Sequence, residues 1–173
     1  LRWLKAHGFR GVKLHPDYQG CWADEERMFP LYEAISDSGL MLALHAGLDN
    51  VYVYPVHCTP LMIRRIIDSF PKLDIVAAHM GGHALWRDAE ELLIGRRLWI
   101  DTSYAQYALL PRDMMRMIGR HGVENVVFGT DSPWRDIAEE IRRIRELPLP
   151  ADDIDRILYG NALNLLGDRV PVK

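Results

Sequence analysis

The sequence predicts a parallel α/β fold made of repeating strand–loop–helix units, and three observations carry that prediction. Five short apolar runs recur along the chain, at Phe9–Leu14, Leu40–Leu44, Leu73–Ala78, Leu98–Ile100 with its flanks, and Asn125–Gly129. They are nearly continuous in apolar character rather than alternating, which suits strands covered on both faces. Each is followed by a turn and a segment of helical period, in units of about 30 residues, so parallel pairing with right-handed crossovers follows.

Taken in order, the elements carry recognisable punctuation. Leu1–His7 reads as the tail of a helix, with Trp3 and Leu4 apolar, Lys5 polar and Gly8 closing it, so the chain begins in the middle of the repeating pattern. After the first run, Pro30 lies in the opening turn of a helix whose Leu31, Ala34 and Ile35 share one face, and Ser38-Gly39 ends it. Thr59-Pro60 is an N-cap followed by proline at the first helical position, and Pro71 stops that helix after Phe70. Pro111 opens the helix holding Met114, Met115 and Ile118, and Gly122 closes it. Ile137, Ile141 and Ile144 line the next helix, which breaks at Pro148 and Pro150. A last amphipathic helix, Asp152–Leu166, buries Ile154, Ile157, Leu158, Ala162 and Leu165.

At 173 residues, without a linker or low-complexity stretch, residues 1–173 are expected to form one domain around a single core. With 26% charged residues and a net charge of −3, neither sign dominates, which argues against broad attraction to nucleic acid or an anionic membrane. No apolar run approaches the roughly 20 residues needed to cross a bilayer. Cys21 and Cys58 make neither a disulfide framework nor a paired metal motif, which fits a reducing, cytoplasmic setting.

The deciding feature is what each apolar run ends with. The runs end at His15, His45, His79, Asp101-Thr102-Ser103 and Asp131. In a parallel α/β fold the carboxyl ends of the strands lie on one face, where active sites are built. A lone histidine there is usually structural, but repetition at five matched positions points to chemistry, and Ala46-Gly47 is expected to leave room for a ligand or metal beside His45. Imidazole and carboxylate are the donors a zinc-type site needs. A doubly wound sheet spreads strand ends along a line, whereas a barrel closes them into a ring, so the constellation favours part of an eightfold barrel. No GxGxxG or P-loop pattern follows a strand, which argues against nucleotide binding.

Five segments together resemble the amidohydrolase superfamily: Gly11-Val12-Lys13-Leu14-His15-Pro16, Leu44-His45-Ala46-Gly47, Ala78-His79-Met80-Gly81-Gly82, Gly129-Thr130-Asp131-Ser132-Pro133-Trp134 and Gly160-Asn161-Ala162. They are most similar to the amidohydrolase-related branch that includes aminocarboxymuconate semialdehyde decarboxylase and many metal-dependent hydrolases. The resemblance implies an incomplete (β/α)8 TIM barrel, covering strands 4 to 8 with their helices. It further implies that His45, His79 and Asp131 hold a divalent metal, zinc or else manganese, with Asp131 and His79 catalytic. His79 is a metal ligand in some members and a substrate or water contact in others. The superfamily's His-x-His pair of strand 1 is not in this sequence. The isolated chain is therefore expected to lack two ligands, to leave its barrel open and to be poorly stable or inactive alone.

Lys13 and His15 fall on the same side of a strand, two residues apart, and are candidate substrate contacts. Lys13 is either a bridging carbamate or a partly buried lysine paired with a carboxylate. Trp134 is a further candidate substrate contact, and His57, His83, Trp86 and Tyr104 are pocket candidates on post-strand loops. Asp101 either lines the pocket or caps its turn, while His7 and His121 are structural. The implied activity is hydrolysis of an amide, ester or lactone of a small molecule through metal-activated water. Non-oxidative decarboxylation of an unsaturated or aromatic acid is the alternative, and a non-catalytic α/β binding module is a third reading. A homodimer is compatible with any of them.

Overall fold

The computed structural model describes residues 1–52 and 54–167. Its centre is a five-stranded, all-parallel sheet in the order β1-β2-β3-β4-β5. The strands are β1 (Gly11–Leu14), β2 (Met41–Leu44), β3 (Ile75–Ala77), β4 (Trp99–Asp101) and β5 (Val126–Val127). Four of them lie inside an apolar run and are shorter than it, while β4 overlaps Leu98–Ile100 and extends one residue further, to Asp101. Sequence order equals spatial order, so every crossover joins immediate neighbours, as in one arc of a barrel. Among the described residues β1 pairs only with β2 and β5 only with β4, so both sheet edges are open.

The helices are α1 (Arg2–Ala6), α2 (Pro16–Gln19), α3 (Phe29–Asp37), α4 (Pro60–Ser69), α5 (Trp86–Leu92), α6 (Pro111–His121), α7 (Ile137–Arg145), α8 (Ala151–Asp155) and α9 (Asn161–Leu166). The punctuation performs as expected. Thr59 accepts a hydrogen bond from the Met62 N–H at the start of α4, and Pro111 opens α6. Gly122 leaves α6 at φ 93°, a left-handed value that favours glycine. The last predicted helix is instead a helical run in three pieces, α8, a π-turn at Arg156–Gly160 and α9. Asn161 explains the Gly160-Asn161-Ala162 segment: its buried amide donates to the Val123 and Val126 carbonyls at 2.7 and 2.8 Å, tying the run to β5. Helices α2 and α5 are too short for their periodicity to be read from sequence.

The register sorts the sheet into two faces. Leu14, Leu44, Ala77, Ile100 and Val126 share one row, buried with Tyr32, Ile35, Ile63, Ile66 and Met117 in the core beneath the helices. Fully burying a leucine such as Leu42 or Leu44, both 0% exposed, contributes roughly 1.5–3 kcal/mol. The opposite face carries the row Lys13, Ala43, Val76 and Trp99. Two residues further along each strand, the same face presents His15, His45, Ala78 and Asp101, so period-two alternation delivers the strand-end groups to one side. Among the described residues, no helix is long and apolar enough to cross a membrane.

Candidate metal centre

His45 leaves β2 on the row just described, and its ring stacks on that of His15 from the neighbouring strand, with centroids 4.0 Å apart and planes 8° apart. His79 lies one residue beyond the row, and alternation alone would turn it to the other face. The backbone solves this by entering the left-handed region at His79 and Met80, with φ 59° and 56°. Non-glycine residues there are strained, and such strain collects at functional sites. Asp101 holds the turn. Its Oδ1 accepts the His79 N–H and the Ser103 N–H, both at 2.9 Å, and the Ser103 hydroxyl at 2.5 Å. Of the two readings left open for Asp101, the turn-holding one is therefore the observed one.

The hydrogen bonds of His79 determine its tautomer. Its Nδ1 lies 3.0 Å from the Ser103 carbonyl, which can only accept, so Nδ1 carries the proton and Nε2 is an acceptor. Nε2 lies 3.1 Å from Nδ1 of His45, which must then donate. That leaves Nε2 of His45 as a bare lone pair, buried and without a hydrogen-bond partner. Burial, with the neighbouring His79 and His15 rings adding to it, pushes the His45 pKa down to about 3 and keeps the ring neutral. A buried, neutral, unpartnered imidazole nitrogen is the donor a borderline divalent cation takes.

Beside it, a cavity of about 530 Å³ is lined by Lys13, His15, Tyr18, His45, Asp49, His79, His83, Tyr104, Asp131 and Trp134 among others. All six site residues expected from the sequence therefore meet at one cavity, but not in one cluster. His15, His45 and Asp49 have ligand atoms within 4.8 Å of one another, and Asp131 is not in that group. Asp131 follows β5 with φ 61° and is exposed at the cavity wall, as is Trp134. Asp49 was missed by sequence reasoning, which took only the first polar residue after each strand. Its signal was its place four residues after His45, in a loop turn that Asp49 itself caps.

Two expectations need correction. Lys13 is exposed and, among the described residues, makes no ion pair, because the sheet face it projects from is open beside the edge strand β1. Gly47 does not leave room for a ligand. A Cβ there would sit 2.2 Å from the His83 backbone nitrogen, so the glycine exists to let the loops after β2 and β3 pair at Gly47 and His83. Both His7 and His121 make structural contacts, His7 through its Nδ1, 2.8 Å from the Trp3 carbonyl. His121 accepts from the Gly95 N–H at 3.1 Å and donates to the Leu98 carbonyl at 3.2 Å, fastening α6 to the loop before β4.

A family model described as amidohydrolase matches residues 1–167. The chain belongs to the amidohydrolase family. No curated protein matches it in sequence. Among solved structures, this amidohydrolase chain is similar to a TIM-barrel protein of Bordetella bronchiseptica, with 25% identity, a TM-score of 0.74, and 95% of this chain and 59% of that one covered. It is similar to the 5-carboxyvanillate decarboxylase of Sphingomonas paucimobilis, at 24% identity and a TM-score of 0.71 over 91% of this chain and 58% of that one. A dihydroxybenzoic acid decarboxylase of a Polaromonas species, solved with manganese and 2-nitroresorcinol, matches at 19% identity and a TM-score of 0.70 over 95% of this chain and 63% of that one. The five-stranded arc is thus part of a TIM barrel, and the chain spans roughly three-fifths of the length of these structures.

Proposed function

We propose that this chain builds the active centre of a metal-dependent enzyme acting on small carboxylic acids, with non-oxidative decarboxylation of an aromatic or unsaturated acid as its reaction. The observation that carries the reading is the cavity: a bare His45 Nε2 in its wall, the Lys13 cation at its open side and the rings of Tyr18, Tyr104 and Trp134 around it. Concave sites of a few hundred Å³ with apolar walls and few convergent polar groups take small planar ligands. The two decarboxylases that share the fold act on hydroxylated aromatic acids, which sets the class to test first.

His45 would hold the metal through Nε2, with Asp131 as the further ligand that the family resemblance implies. When bound, such an ion supplies Lewis acidity toward a substrate oxygen or water. His79, with both ring nitrogens engaged, orients His45 rather than touching substrate. Lys13 is placed to pair with the substrate carboxylate, and the aromatic residues to pack against its ring. Asp131, exposed to the cavity, would relay a proton from solvent water to the carbon that gives up carbon dioxide, so that a carbon–hydrogen bond replaces the broken carbon–carbon bond.

Hydrolysis is the second reading, favoured by the family description and by the same carboxylate: Asp131 would take a proton from water and pass it to the leaving group. A panel of hydroxybenzoates, unsaturated diacids, lactones and anilides, assayed with manganese or zinc, separates the two. Release of carbon dioxide from the acids supports decarboxylation, and turnover of lactones or anilides alone replaces it with hydrolysis. Turnover of an acid that Asp131→Asn leaves unchanged removes the proton-transfer role.

A further inference from the structure

We propose that His83 and Tyr104 form a neutral pair of hydrogen-bond donors that reads a hydroxyl or carbonyl oxygen of the substrate, so that the cavity selects monocarboxylic acids carrying such a group. The proposal rests on the reading above of a site for small carboxylic acids and names a narrower class within it.

The tautomer of His83 is the first observation. Its Nδ1 is buried and has no hydrogen-bond partner among the described residues. An imidazole with one such nitrogen keeps its bare lone pair there, because an orphaned buried N–H is the costlier group. The ring proton therefore resides on Nε2. Burial, with the neighbouring His79 adding to it, lowers the His83 pKa and keeps the ring neutral against the opposing pull of Asp131 and Asp49. The half-buried side chain lines the cavity, to which it offers a donor and no charge.

Tyr104 supplies the second donor. The Asn50 amide donates to its hydroxyl oxygen at 3.2 Å, which leaves the hydroxyl proton for another acceptor. The rings of His83 and Tyr104 touch, with centroids 5.2 Å apart and planes at 84°. Crossed planes let one in-plane donor from each ring reach the same oxygen.

Both rings are fixed in place. The His83 N–H donates to the Ala46 carbonyl at 2.7 Å, and the His83 carbonyl accepts from the Leu48 N–H at 2.9 Å. Trp86 packs against the imidazole with centroids 5.4 Å apart and planes at 86°, and its own Nε1 donates to the His79 carbonyl at 3.0 Å. Tyr104, and Ala84 directly after His83, both have left-handed backbone at φ 57°. Strain of that kind in non-glycine residues persists only where the surroundings hold it, and it collects where a group must be aimed. Charge then decides the class of oxygen. Among the described lining residues Lys13 is the one lysine or arginine, while Asp49 and Asp131 are acids. One substrate carboxylate has Lys13 to meet. A second would face two acids and find only neutral donors, whereas a hydroxyl or carbonyl oxygen needs nothing more than those donors.

The test measures binding of benzoate, the ortho, meta and para hydroxybenzoates and the corresponding benzene dicarboxylates to the full chain by calorimetry, with manganese present. The best hydroxybenzoate is expected to bind about tenfold more tightly than benzoate, as two modest hydrogen bonds would give, and the dicarboxylates no more tightly than benzoate. His83→Phe and Tyr104→Phe keep a ring at each position and remove one donor each. Either variant should weaken the hydroxybenzoate roughly fivefold and leave benzoate within about twofold, which also shows that the cavity is intact. Nuclear magnetic resonance of isotope-labelled histidine should find His83 protonated at Nε2 and bare at Nδ1. A parent that treats hydroxybenzoates, dicarboxylates and benzoate alike, variants that weaken hydroxybenzoate and benzoate equally, or a His83 proton on Nδ1 overturns the inference. Benzoate binding that Lys13→Ala weakens keeps the acid-site reading standing in that event. A parent that binds none of these acids removes both.

Discussion

Replacing Asp101 is expected to damage stability and the metal centre together. One oxygen of this side chain accepts three hydrogen bonds, from the His79 N–H, the Ser103 N–H and the Ser103 hydroxyl. Bonds to an ionised acceptor are worth about 1.5–3 kcal/mol each when well buried. This carboxylate is only half-buried, so about 1 kcal/mol each is the better figure, and Asp101→Ala should cost about 3 kcal/mol. With a urea m-value of about 2 kcal/mol/M, the unfolding midpoint falls by about 1.5 M. Asp101→Asn retains one acceptor oxygen and should lose about a third as much. The turn at His79 and Met80 is strained, at about 1–2 kcal/mol for each left-handed residue, and Asp101 opposes its relaxation. Once the turn relaxes, His79 leaves Nδ1 of His45, and Nε2 of His45 is no longer presented as a fixed lone pair. Manganese affinity should therefore drop in Asp101→Ala by an order of magnitude or more. An alanine variant within 0.5 kcal/mol of the parent in urea, or one with undiminished metal affinity, would refute this reasoning.

Three further outcomes follow from the same geometry. Gly47→Ala should prevent the loops after β2 and β3 from pairing, because its Cβ would lie 2.2 Å from backbone; thermal melting should show a loss comparable to a severe core substitution, about 3 kcal/mol or more. Burial lowers the pKa of His121 below 6.5, so the folded chain favours the neutral ring: its contribution is complete above pH 6.5 and is lost as pH falls toward the folded-state value. His121→Ala should cost about 2 kcal/mol near pH 8, from two hydrogen bonds, and visibly less at pH 5, where a constant difference in urea unfolding would contradict the assignment. Glu90 receives hydrogen bonds from Arg116 and Arg120, and these hold its pKa down to about 2. Its stabilisation is present above pH 4.5 and fades as pH drops through about 2, so Glu90→Gln should cost about 1 kcal/mol at neutral pH and nothing in strong acid.

Much of the fold was legible because it depends on local chemistry. Thr59, Pro60, Pro111 and Gly122 act at helix ends through their own backbone and side chains, so their effect is readable one element at a time. The apolar runs located all five strands, since a strand buried on both faces needs apolar residues throughout. The gathering of His15 and His45 was legible for a topological reason, since parallel strands place their carboxyl ends on one side, whereas His79 reaches the cavity only through its left-handed turn.

The rest depended on contacts between segments distant in sequence. Asp49 and Asp17 are ordinary loop acids until the fold sets one against His15 Nε2 and the other behind its Nδ1. Gly47 looked like space for a ligand until the backbone of His83, 36 residues away by position, filled that space. By itself, the sequence determined the parallel α/β order and which strand ends carry ionisable groups, because period and punctuation are properties of short stretches of chain. Only the tertiary structure decided which nitrogen of His45 is bare, because a tautomer is set by the partner on the far side of the ring, and that partner is brought there by a left-handed turn held from another strand.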